Sequence, residues 1–323
     1  MPPLYPLRFQ PIFKRYLWGG RRLESQLDKP IGPGNDYAES WEVVDRGNDQ
    51  SVVAHGPLAG ITLGELVTQR GKELFGRHAH HARFPLLFKF LDAHQPLSVQ
   101  VHPDDTAAKL LTPPDLGKTE AWVIMAAEPG SYIYAGLKRG FDRPALEREL
   151  ARGTCELCLG RLEPRPGDVL FLPAGAVHAL GPGLVVAEIQ QSSDTTYRLF
   201  DWNRTGPDGR PRQLHIEESL AVIDFDMPPM TFSQPRATDR AHVERLVECD
   251  KFVLDRWKLD APQTIGGDNK CHLLVMLDGA LTAQGDPAGP MKKGEVSILP
   301  ASIGVTTLTP AGSAILLDIC LPD

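Results

Sequence analysis

The stretch GDVLFLPAGAVH, residues 167–178, sets the first expectation about the fold. A glycine and an acidic residue form a turn, apolar residues follow as a short strand, and Pro-Ala-Gly forms a second turn that leads to His178. Residues 294–302, GEVSILPAS, repeat glycine, acid, valine, leucine, proline and alanine at one constant offset. A strand after such a turn is common. If the two copies are related, however, Val305 stands in the second copy where His178 stands in the first.

Short strands are predicted along the whole chain. Its 29 prolines and 30 glycines punctuate brief apolar runs, which is typical of an all-β protein. The predicted strands are 41–44, 50–55, 86–92, 97–102, 120–127, 131–137, 168–173, 184–190, 272–279, 295–300, 304–309 and 314–321.

Helices are predicted at only a few places. Residues 62–76 open with a capping box, Thr62 and Glu65, whose side chains can satisfy free backbone donors of the first turn. A second helix follows Asp142 and ends at Gly153, and a third covers 216–225. The polar, proline-bearing stretch 227–241 is interpreted as a linker between a large N-terminal part and a C-terminal all-β part.

Composition excludes several classes of protein. The 323 residues suffice for one large or two medium domains, and the net charge of −7, with both signs interspersed, argues against a nucleic-acid partner. No apolar segment has the length of a signal peptide or of a membrane helix, so we expect no membrane association and a cytoplasmic location. Five cysteines form no disulfide framework. The CxxC of Cys155 and Cys158 has neither the second pair of a zinc site nor a βαβ context, and is interpreted as two small apolar residues one turn apart.

Three places carry metal-ligating side chains that ordinary packing does not explain. Gln100 and His102 share one face of the strand LSVQVH, because side chains alternate along a strand. Glu120 heads the strongly apolar strand EAWVIMAA, and His178 lies on the turn PAGAVHAL. Neighbouring strands of a small barrel can bring such residues to one interior point. Imidazole nitrogens and carboxylate or amide oxygens are zinc ligands, so we expect a metal site here.

Plainer interpretations apply to each of these residues singly. A lone histidine on an apolar strand is more often a satisfied core residue, and Glu120 alone could face solvent. The run HAHH at 78–81 resembles a metal tract but follows a helix in a polar connection, and we interpret it as solvated. The prediction of a metal site therefore rests on the three places taken together.

The residues Gly167, Pro173, Gly175 and His178 match G-x5-P-x-G-x2-H, the second motif of the cupin family. The usual first motif, H-x-H followed closely by glutamate, is not matched, because Gln100-Val-His102 stands there and Glu120 comes later. Within cupins, the chain resembles the type I phosphomannose isomerases, in their compact bacterial form, from about residue 10 to 225. The resemblance rests on KRYLWGG (14–20), ESWEVV (39–44), FPLLFKFLDAHQPLSVQVHPDD (84–105), GKTEAWVIM (117–125), PGDVLFLPAGAVHALG (166–181) and QQSSDTTYRLFDWNR (190–204).

This resemblance implies an all-β dominated fold of two cupin jelly rolls with a few inserted helices. Residues 1–235 would form the catalytic, metal-binding domain, and residues 236–323 a metal-free one, in agreement with Val305. The implied activity is a metal-dependent aldose–ketose isomerisation between mannose 6-phosphate and fructose 6-phosphate through an enediolate. The implied partner is therefore a small sugar phosphate, with the protein a monomer or a weak homo-oligomer.

The resemblance also implies the site. One Zn²⁺ or another divalent metal would bind His102, Glu120, His178 and Gln100, the neutral amide being the weakest ligand. Arg198, Lys118, Glu188 and Lys89 match active-site positions of the family, whereas Trp18 follows Leu17 where some members carry an aspartate. The proton-transferring base stays open among Glu188, Lys118 and a metal-bound hydroxide.

Two other functions use the same residues. A cupin dioxygenase would bind iron through His102, Glu120 and His178, but its apolar substrate would not require Arg198, Lys89 and Lys118. A non-catalytic cupin that binds sugar phosphates or senses metals would not need these cations intact.

Overall fold

Strands predominate in the computed structural model, which describes residues 2–205 and 209–323. The N-terminal strands are β1 Phe9–Gln10, β2 Ile12–Gly20, β3 Tyr37–Val43, β4 Asp45–Arg46, β5 Asp49–Gln50, β6 Val52–Val53, β7 Leu86–Ala93, β8 Val99–Val101, β9 Glu120–Ala127, β10 Ile133–Leu137, β11 Leu159–Leu162, β12 Val169–Leu172, β13 His178–Leu180, β14 Leu184–Gln191 and β15 Tyr197–Phe200. The C-terminal strands are β16 Arg236–Ala237, β17 Val243–Glu248, β18 Val253–Leu259, β19 Gln263–Ile265, β20 His272–Ala283, β21 Met291–Lys292, β22 Val296–Leu299 and β23 Thr306–Cys320.

The described helices are α1 Arg22–Leu27, α2 Leu63–Phe75, α3 Asp105–Ala108, α4 Arg143–Arg152 and α5 Ile216–Val222. The three predicted helices correspond to α2, α4 and α5. The Thr62 capping box begins α2, while Asp142 caps α4 and Gly153 ends it in the left-handed conformation. The short helices α1 and α3 were not predicted. None of the helices in the described ranges is long and apolar enough to cross a bilayer.

Two antiparallel sheets form the N-terminal part. One has the strand order β11-β10-β13-β8-β15, and the other has the order β12-β9-β14-β7-β3-β2. Their inner faces share a hydrophobic core, in which Leu97, Ile133 and Leu180 belong to the first sheet's side and Trp122 and Val186 to the second's. Residues that point inward from the two sheets therefore face each other across a narrow interior.

An eight-stranded antiparallel sheet forms the C-terminal part, from β16 to β23. It does not have a core entirely of its own, because Phe252 and Leu273 pack in one cluster with Phe75 and Phe88. The N-terminal segment also contacts the C-terminal sheet, since Leu7 pairs with Ile298 by backbone hydrogen bonds. The two parts are thus joined by apolar packing as well as by the connecting chain.

The structure differs from several of the local predictions. Within the predicted linker 227–241, Met230 and Phe232 contact the core of the N-terminal sheets and Ser233 N donates to Val169 O at 2.8 Å, whereas Arg236–Ala237 form β16 of the C-terminal sheet. The stretch therefore connects the two parts, and its first half is packed rather than free. The predicted strands 304–309 and 314–321 are one strand, β23. The two copies of the repeated stretch do form β12 and β22, each after a left-handed glycine turn. Val305 is 65% exposed, unlike buried His178.

Candidate active site

The predicted metal ligands come from facing sheets. Gln100 lies in β8 and pairs in register with His178 at the start of β13, and His102 follows β8 directly. All three therefore belong to the five-stranded sheet. Glu120 begins β9 in the six-stranded sheet. The fold thereby directs two imidazoles from one sheet towards a carboxylate from the other.

His102, Glu120 and His178 are brought together in the interior. One potential ligand atom of each lies within 4.8 Å of the others, and all three side chains are buried. His178 Nε2 lies 3.2 Å from Glu120 Oε1, and His102 Nε2 lies 3.7 Å from Glu120 Oε2. This is a compact set of two nitrogens and a carboxylate.

Hydrogen bonds fix which nitrogen of each imidazole carries the proton. His102 Nδ1 lies 2.9 Å from the Thr195 carbonyl, and His178 Nδ1 lies 2.9 Å from the Ala176 carbonyl. A carbonyl only accepts, so both Nδ1 atoms must donate, and both Nε2 atoms carry lone pairs when the rings are neutral. The lone pair of His102 Nε2 faces the Lys118 ammonium at 3.1 Å, whereas that of His178 Nε2 faces Glu120. Nε2 of His178 and Oε1 of Glu120 face each other without a hydrogen bond. Two acceptors so placed repel unless a cation lies between them, and the three residues therefore fit a metal ion.

The charge states agree with this geometry. Burial, reinforced by Lys118, holds the pKa of His102 well below its usual range, so this ring is neutral. Burial acts against the charge of Glu120, but the Lys118 ammonium outweighs it and holds the pKa of Glu120 well below its usual range. The Lys118 ammonium contacts both Glu120 Oε2 and His102 Nε2, the latter at 3.1 Å.

A second cluster of charges adjoins the first. Lys89 Nζ lies 3.2 Å from Glu188 Oε1 and 3.5 Å from Glu39 Oε2, while Lys118 Nζ lies 3.6 Å from Glu188 Oε1. Burial alone would lower the pKa of Lys89, but Glu188 and Glu39 outweigh it and raise that pKa. Burial raises the pKa of Glu188, and nearby Glu120 acts in the same direction, although Lys89 opposes it. Glu188 is thus the carboxyl group of this cluster most ready to take up a proton.

A cavity of about 300 Å³ opens onto this cluster. Its walls are predominantly polar and charged, which suits a hydroxylated, anionic ligand better than an apolar one. The lining residues are Tyr16, Trp18, Glu39, Lys89, Leu91, Leu97, Ser98, Gln100, Lys118, Trp122, Glu188, Asp194, Thr196, Arg198 and Arg212. Gln100 lines the cavity, and its role as a metal ligand stays a prediction.

Arg198 lies in β15 opposite Gln100 and lines the same cavity. Its Nη1 donates to the Gln213 carbonyl at 2.8 Å, while its buried Nε has no partner among the described residues. Among the described residues Arg198 forms no ion pair with Asp194 or Asp201, and Asp201 accepts from Arg204 and Arg212 instead. Burial lowers the pKa of Arg198, and Arg212 adds to that effect. Two guanidinium groups therefore stand close together in one wall.

Sequence reasoning did not single out four of the charged and tryptophan residues that line the cavity. Glu39 accepts from Trp41 Nε1 at 2.5 Å, and Trp122 Nε1 donates to Glu188 at 3.0 Å. Asp194 and Arg212 complete the set. The sequence could have indicated Glu39, because it lies in the largely apolar strand ESWEVV. Burying a carboxylate there is costly unless it has a partner or a function.

The two motifs that were set aside lie outside this cavity. His78 Nε2 lies 2.9 Å from the Pro322 carbonyl, and burial lowers the pKa of His81 to about 4, so the 78–81 run is only partly solvated. Cys155 and Cys158 are buried in a 3₁₀ turn in an apolar cluster, and burial raises the pKa of Cys155 to about 12. The interpretation of this pair as packing residues agrees with that burial.

Comparisons with known proteins agree with one another. The sequence model of the family "Phosphomannose isomerase type I, catalytic domain" matches residues 6–133. Mannose-6-phosphate isomerase ManA of Bacillus subtilis (strain 168) is 36% identical over 301 residues, which cover 93% of this chain and 94% of the relative. Mannose-6-phosphate isomerase of Streptococcus mutans is 34% identical over 300 residues, covering 92% and 93% of the two chains.

Solved structures give the same result. The crystal structure of mannose 6-phosphate isomerase from Bacillus subtilis superposes with a TM-score of 0.89 at 30% identity and covers 98% of this chain and 99% of its own. A putative mannosephosphate isomerase from Archaeoglobus fulgidus, at 22% identity and a TM-score of 0.79, shares the fold over 99% of each chain. The identities and the near-complete coverage together show that this chain belongs to the type I phosphomannose isomerase family.

Proposed function

We propose that this protein interconverts mannose 6-phosphate and fructose 6-phosphate. The observation that carries the proposal is the pair of facing acceptors, His178 Nε2 and Glu120 Oε1, in the same interior as the Lys89–Glu188 cluster and Arg198. The first feature requires a cation, the second can transfer protons, and the third can bind an anion. An aldose–ketose isomerase acting on a sugar phosphate needs all three.

The cation is proposed to be one Zn²⁺ per chain, held by His102, Glu120 and His178 with Gln100 nearby. Two neutral imidazoles and a carboxylate are a ligand set that zinc accepts and that leaves room for a substrate. When bound, the metal supplies Lewis-acid stabilisation of the negative charge that develops on the sugar oxygens.

The proton is proposed to move between C2 and C1 of the sugar by way of Glu188. Its Oε2 is held by Trp122 at 3.0 Å, while the buried Oε1 accepts no hydrogen bond from the described residues and lies 3.2 Å from Lys89 Nζ. Burial raises the pKa of Glu188 above its ordinary value, which favours the uptake of a proton. Lys118 and Lys89 lie beside it as cations that favour an enediolate.

The phosphate is proposed to bind at the wall formed by Arg198 and Arg212. Beside this wall Arg204 and Arg212 share one carboxylate, Asp201, and Arg198 has no carboxylate partner among the described residues, so that an excess of positive charge remains. A guanidinium can bind a phosphate with two parallel hydrogen bonds. The sugar would then lie with its phosphate at Arg198 and its C1 and C2 at Glu188.

The two parts of the chain are proposed to be cupin domains, residues 1–235 and 236–323, the second without metal. The paired antiparallel sheets, the repeated strand-turn unit at β12 and β22 and the loss of the histidine at Val305 support this division. The cytoplasm is the proposed location, and a monomer or weak homo-oligomer the proposed state.

A turnover experiment tests the function. The purified protein, stripped with a chelator and reloaded with Zn²⁺, is expected to convert mannose 6-phosphate to fructose 6-phosphate, and the stripped protein is not. Glu188→Gln should retain zinc and lose on the order of 10²-fold or more in kcat, because the amide cannot take up the proton. If the zinc-loaded parent showed no turnover, the proposed function would be wrong. If Glu188→Gln kept the parental kcat, Glu188 would not be the group that transfers the proton.

A further inference from the structure

Asp115 lies outside the cavity, and hydrogen bonds of its carboxylate connect three segments of the chain. It belongs to the connection between α3 and β9, and only 8% of its side chain is exposed. Arg46 of β4 donates to both of its oxygens, at 2.8 Å and 2.7 Å. From the connection between β14 and β15, Ser193 and Thr195 donate their hydroxyls to Oδ2 at 3.2 Å and 2.9 Å. A buried carboxylate with this many donors is strongly held in one position.

The contacts continue from Thr195 to a candidate metal ligand. While the Thr195 hydroxyl donates to Asp115, the carbonyl of the same residue accepts from His102 Nδ1 at 2.9 Å. That acceptor fixes the rotation of the imidazole and keeps the proton on Nδ1, so Nε2 faces Glu120. A displacement of Thr195 by about 1 Å would break this hydrogen bond, and the ring would lose the partner that sets its tautomer.

The same connection forms part of the substrate cavity. Asp194 and Thr196, on either side of Thr195, both line it. Two hydrogen bonds hold Ser193 in place. Its hydroxyl donates to Asp115, and its backbone carbonyl accepts from Gln190 Nε2 at 2.6 Å. Anchoring residues 193–195 to Asp115 therefore fixes the imidazole and the cavity wall together.

We propose that Asp115 is a positioning residue of this enzyme, which acts through Thr195 to orient His102 towards the metal and to hold residues 194–196 in the cavity wall. The proposal rests on the proposed function. It assigns to Asp115 a role in metal retention and turnover, not in contact with substrate. The competing explanation is that Asp115 is only the ion-pair partner of Arg46 and serves the stability of the fold.

Substitutions at Thr195 separate the two explanations, because they leave the Asp115–Arg46 pair in place. Thr195→Val removes the hydroxyl at nearly constant volume, and Thr195→Ser keeps it. Asp115→Asn weakens every contact of the carboxylate. Asp92→Asn is the matched control, since Asp92 is a buried carboxylate paired with Arg22 at 2.9 Å and has no contact with residues 192–196.

The first readout is the zinc dissociation constant, measured by competition with a chromogenic chelator. Loss of a residue that orients a ligand from outside the metal site costs about 10- to 100-fold in metal affinity or activity. We expect the dissociation constant to rise about tenfold in Thr195→Val and Asp115→Asn, and kcat to fall with it. Thr195→Ser should stay within about twofold of the parent, and Asp92→Asn should lower the melting temperature while leaving zinc affinity unchanged.

The second readout needs neither metal nor turnover. In the apoprotein labelled with nitrogen-15 histidine, the imidazole signal that disappears in His102→Gln identifies His102. It should show the Nδ1-protonated tautomer in the parent and in Thr195→Ser, and a mixture of tautomers in Thr195→Val. If Thr195→Val keeps the parental spectrum and zinc affinity, the proposal is wrong and Asp115 is structural. If the parent itself binds no zinc, the proposed metal centre fails, and the spectrum still decides whether Thr195 sets the tautomer.

Discussion

Arg198 shows how an ordinary surface residue type becomes a functional candidate once its neighbours are known. In the described chain it has no carboxylate partner, it is half-buried, and it stands beside Arg212 in the wall of the cavity. Placing two guanidiniums together costs free energy unless an anion binds there. The arrangement is therefore better explained by a ligand than by stability, to which surface ion pairs add about 0–1 kcal/mol.

Replacing Arg198 should affect turnover and leave the fold intact. We expect Arg198→Ala to keep its zinc and its melting temperature and to lose on the order of 10²-fold in kcat/KM for mannose 6-phosphate. Arg198→Lys should recover only part of the loss, because an ammonium lacks the planar fork. Arg143→Ala, at an exposed arginine paired with Glu147 on α4, is the control. If Arg198→Ala kept the parental kinetics, Arg198 would be a surface residue without a role in turnover.

Replacing His178 should remove the metal. The ring supplies one of the nitrogens that face Glu120, and without it two ligands of the buried set remain. We expect His178→Ala to drop from one zinc per chain to nearly none, as measured by elemental analysis after gel filtration, and to lose activity. His80→Ala, at an exposed histidine of the 78–81 run, should keep one zinc. Full occupancy in His178→Ala would contradict the assignment of the ligands.

At the scale of the element, the functional residues depend on strand register. β8 lies between β13 and β15, and this order places Gln100 beside both His178 and Arg198. In the facing sheet, β14 lies between β7 and β9, and Glu188 is thereby paired with both Lys89 and Trp122. A slip of one residue in either sheet would turn every one of these side chains to the other face.

The capping box of α2 provides a test of local stability that does not touch the site. The Thr62 hydroxyl accepts from the Glu65 backbone amide at 3.2 Å, and the Glu65 carboxylate accepts from the Thr62 amide at 2.8 Å. We expect Thr62→Ala to lower the free energy of unfolding by about 1 kcal/mol, measured by urea denaturation, with unchanged kcat and KM. Thr62→Ser should restore most of the stability, and an equal loss in both variants would exclude the cap as the cause.

At the scale of the whole molecule, the C-terminal sheet carries its own buried charge network. His272 Nδ1 lies 2.8 Å from Asp318 and Nε2 lies 3.2 Å from Asp268, while Asp255 and Lys270 line the same hollow. Burial alone would lower the pKa of His272, but the two carboxylates outweigh it and raise that pKa to about 10. This histidine is therefore a cation in the folded protein at neutral pH.

The stability of the protein should consequently fall as pH rises. Between the ordinary histidine pKa of about 6.5 and the folded value, the native state binds one proton more than the unfolded state at this residue. The contribution of His272 is fully present below about pH 6.5 and is lost as the pH approaches 10, with a slope of up to about 1.4 kcal/mol per pH unit. Urea unfolding of the parent and of His272→Gln between pH 6 and pH 10 measures it. Parallel curves for the two proteins would show that His272 is not charged in the fold.

The sequence by itself determined the strand-rich texture, the three longer helices and the residues of the candidate metal group. These features are local: alternation fixes which residues share a face, capping residues fix where α2 and α4 begin, and an unexplained histidine or glutamate in an apolar strand is visible without coordinates. The resemblance to a family added Arg198, Lys89, Lys118 and Glu188, which no local pattern distinguishes from surface or core residues.

Only the tertiary structure decided which of these residues meet. His102 and Glu120 are separated in sequence by a loop and face each other because two sheets pack together, a long-range event that side-chain patterns do not encode. Glu39 and Asp115 became visible for the same reason, since Lys89, which contacts Glu39, and Arg46 and Thr195, which contact Asp115, lie far away in the chain. The first half of the predicted linker 227–241 is packed, because Met227, Met230 and Phe232 contact the core. Sequence thus determined the chemical groups, and packing between distant segments determined the site that they form.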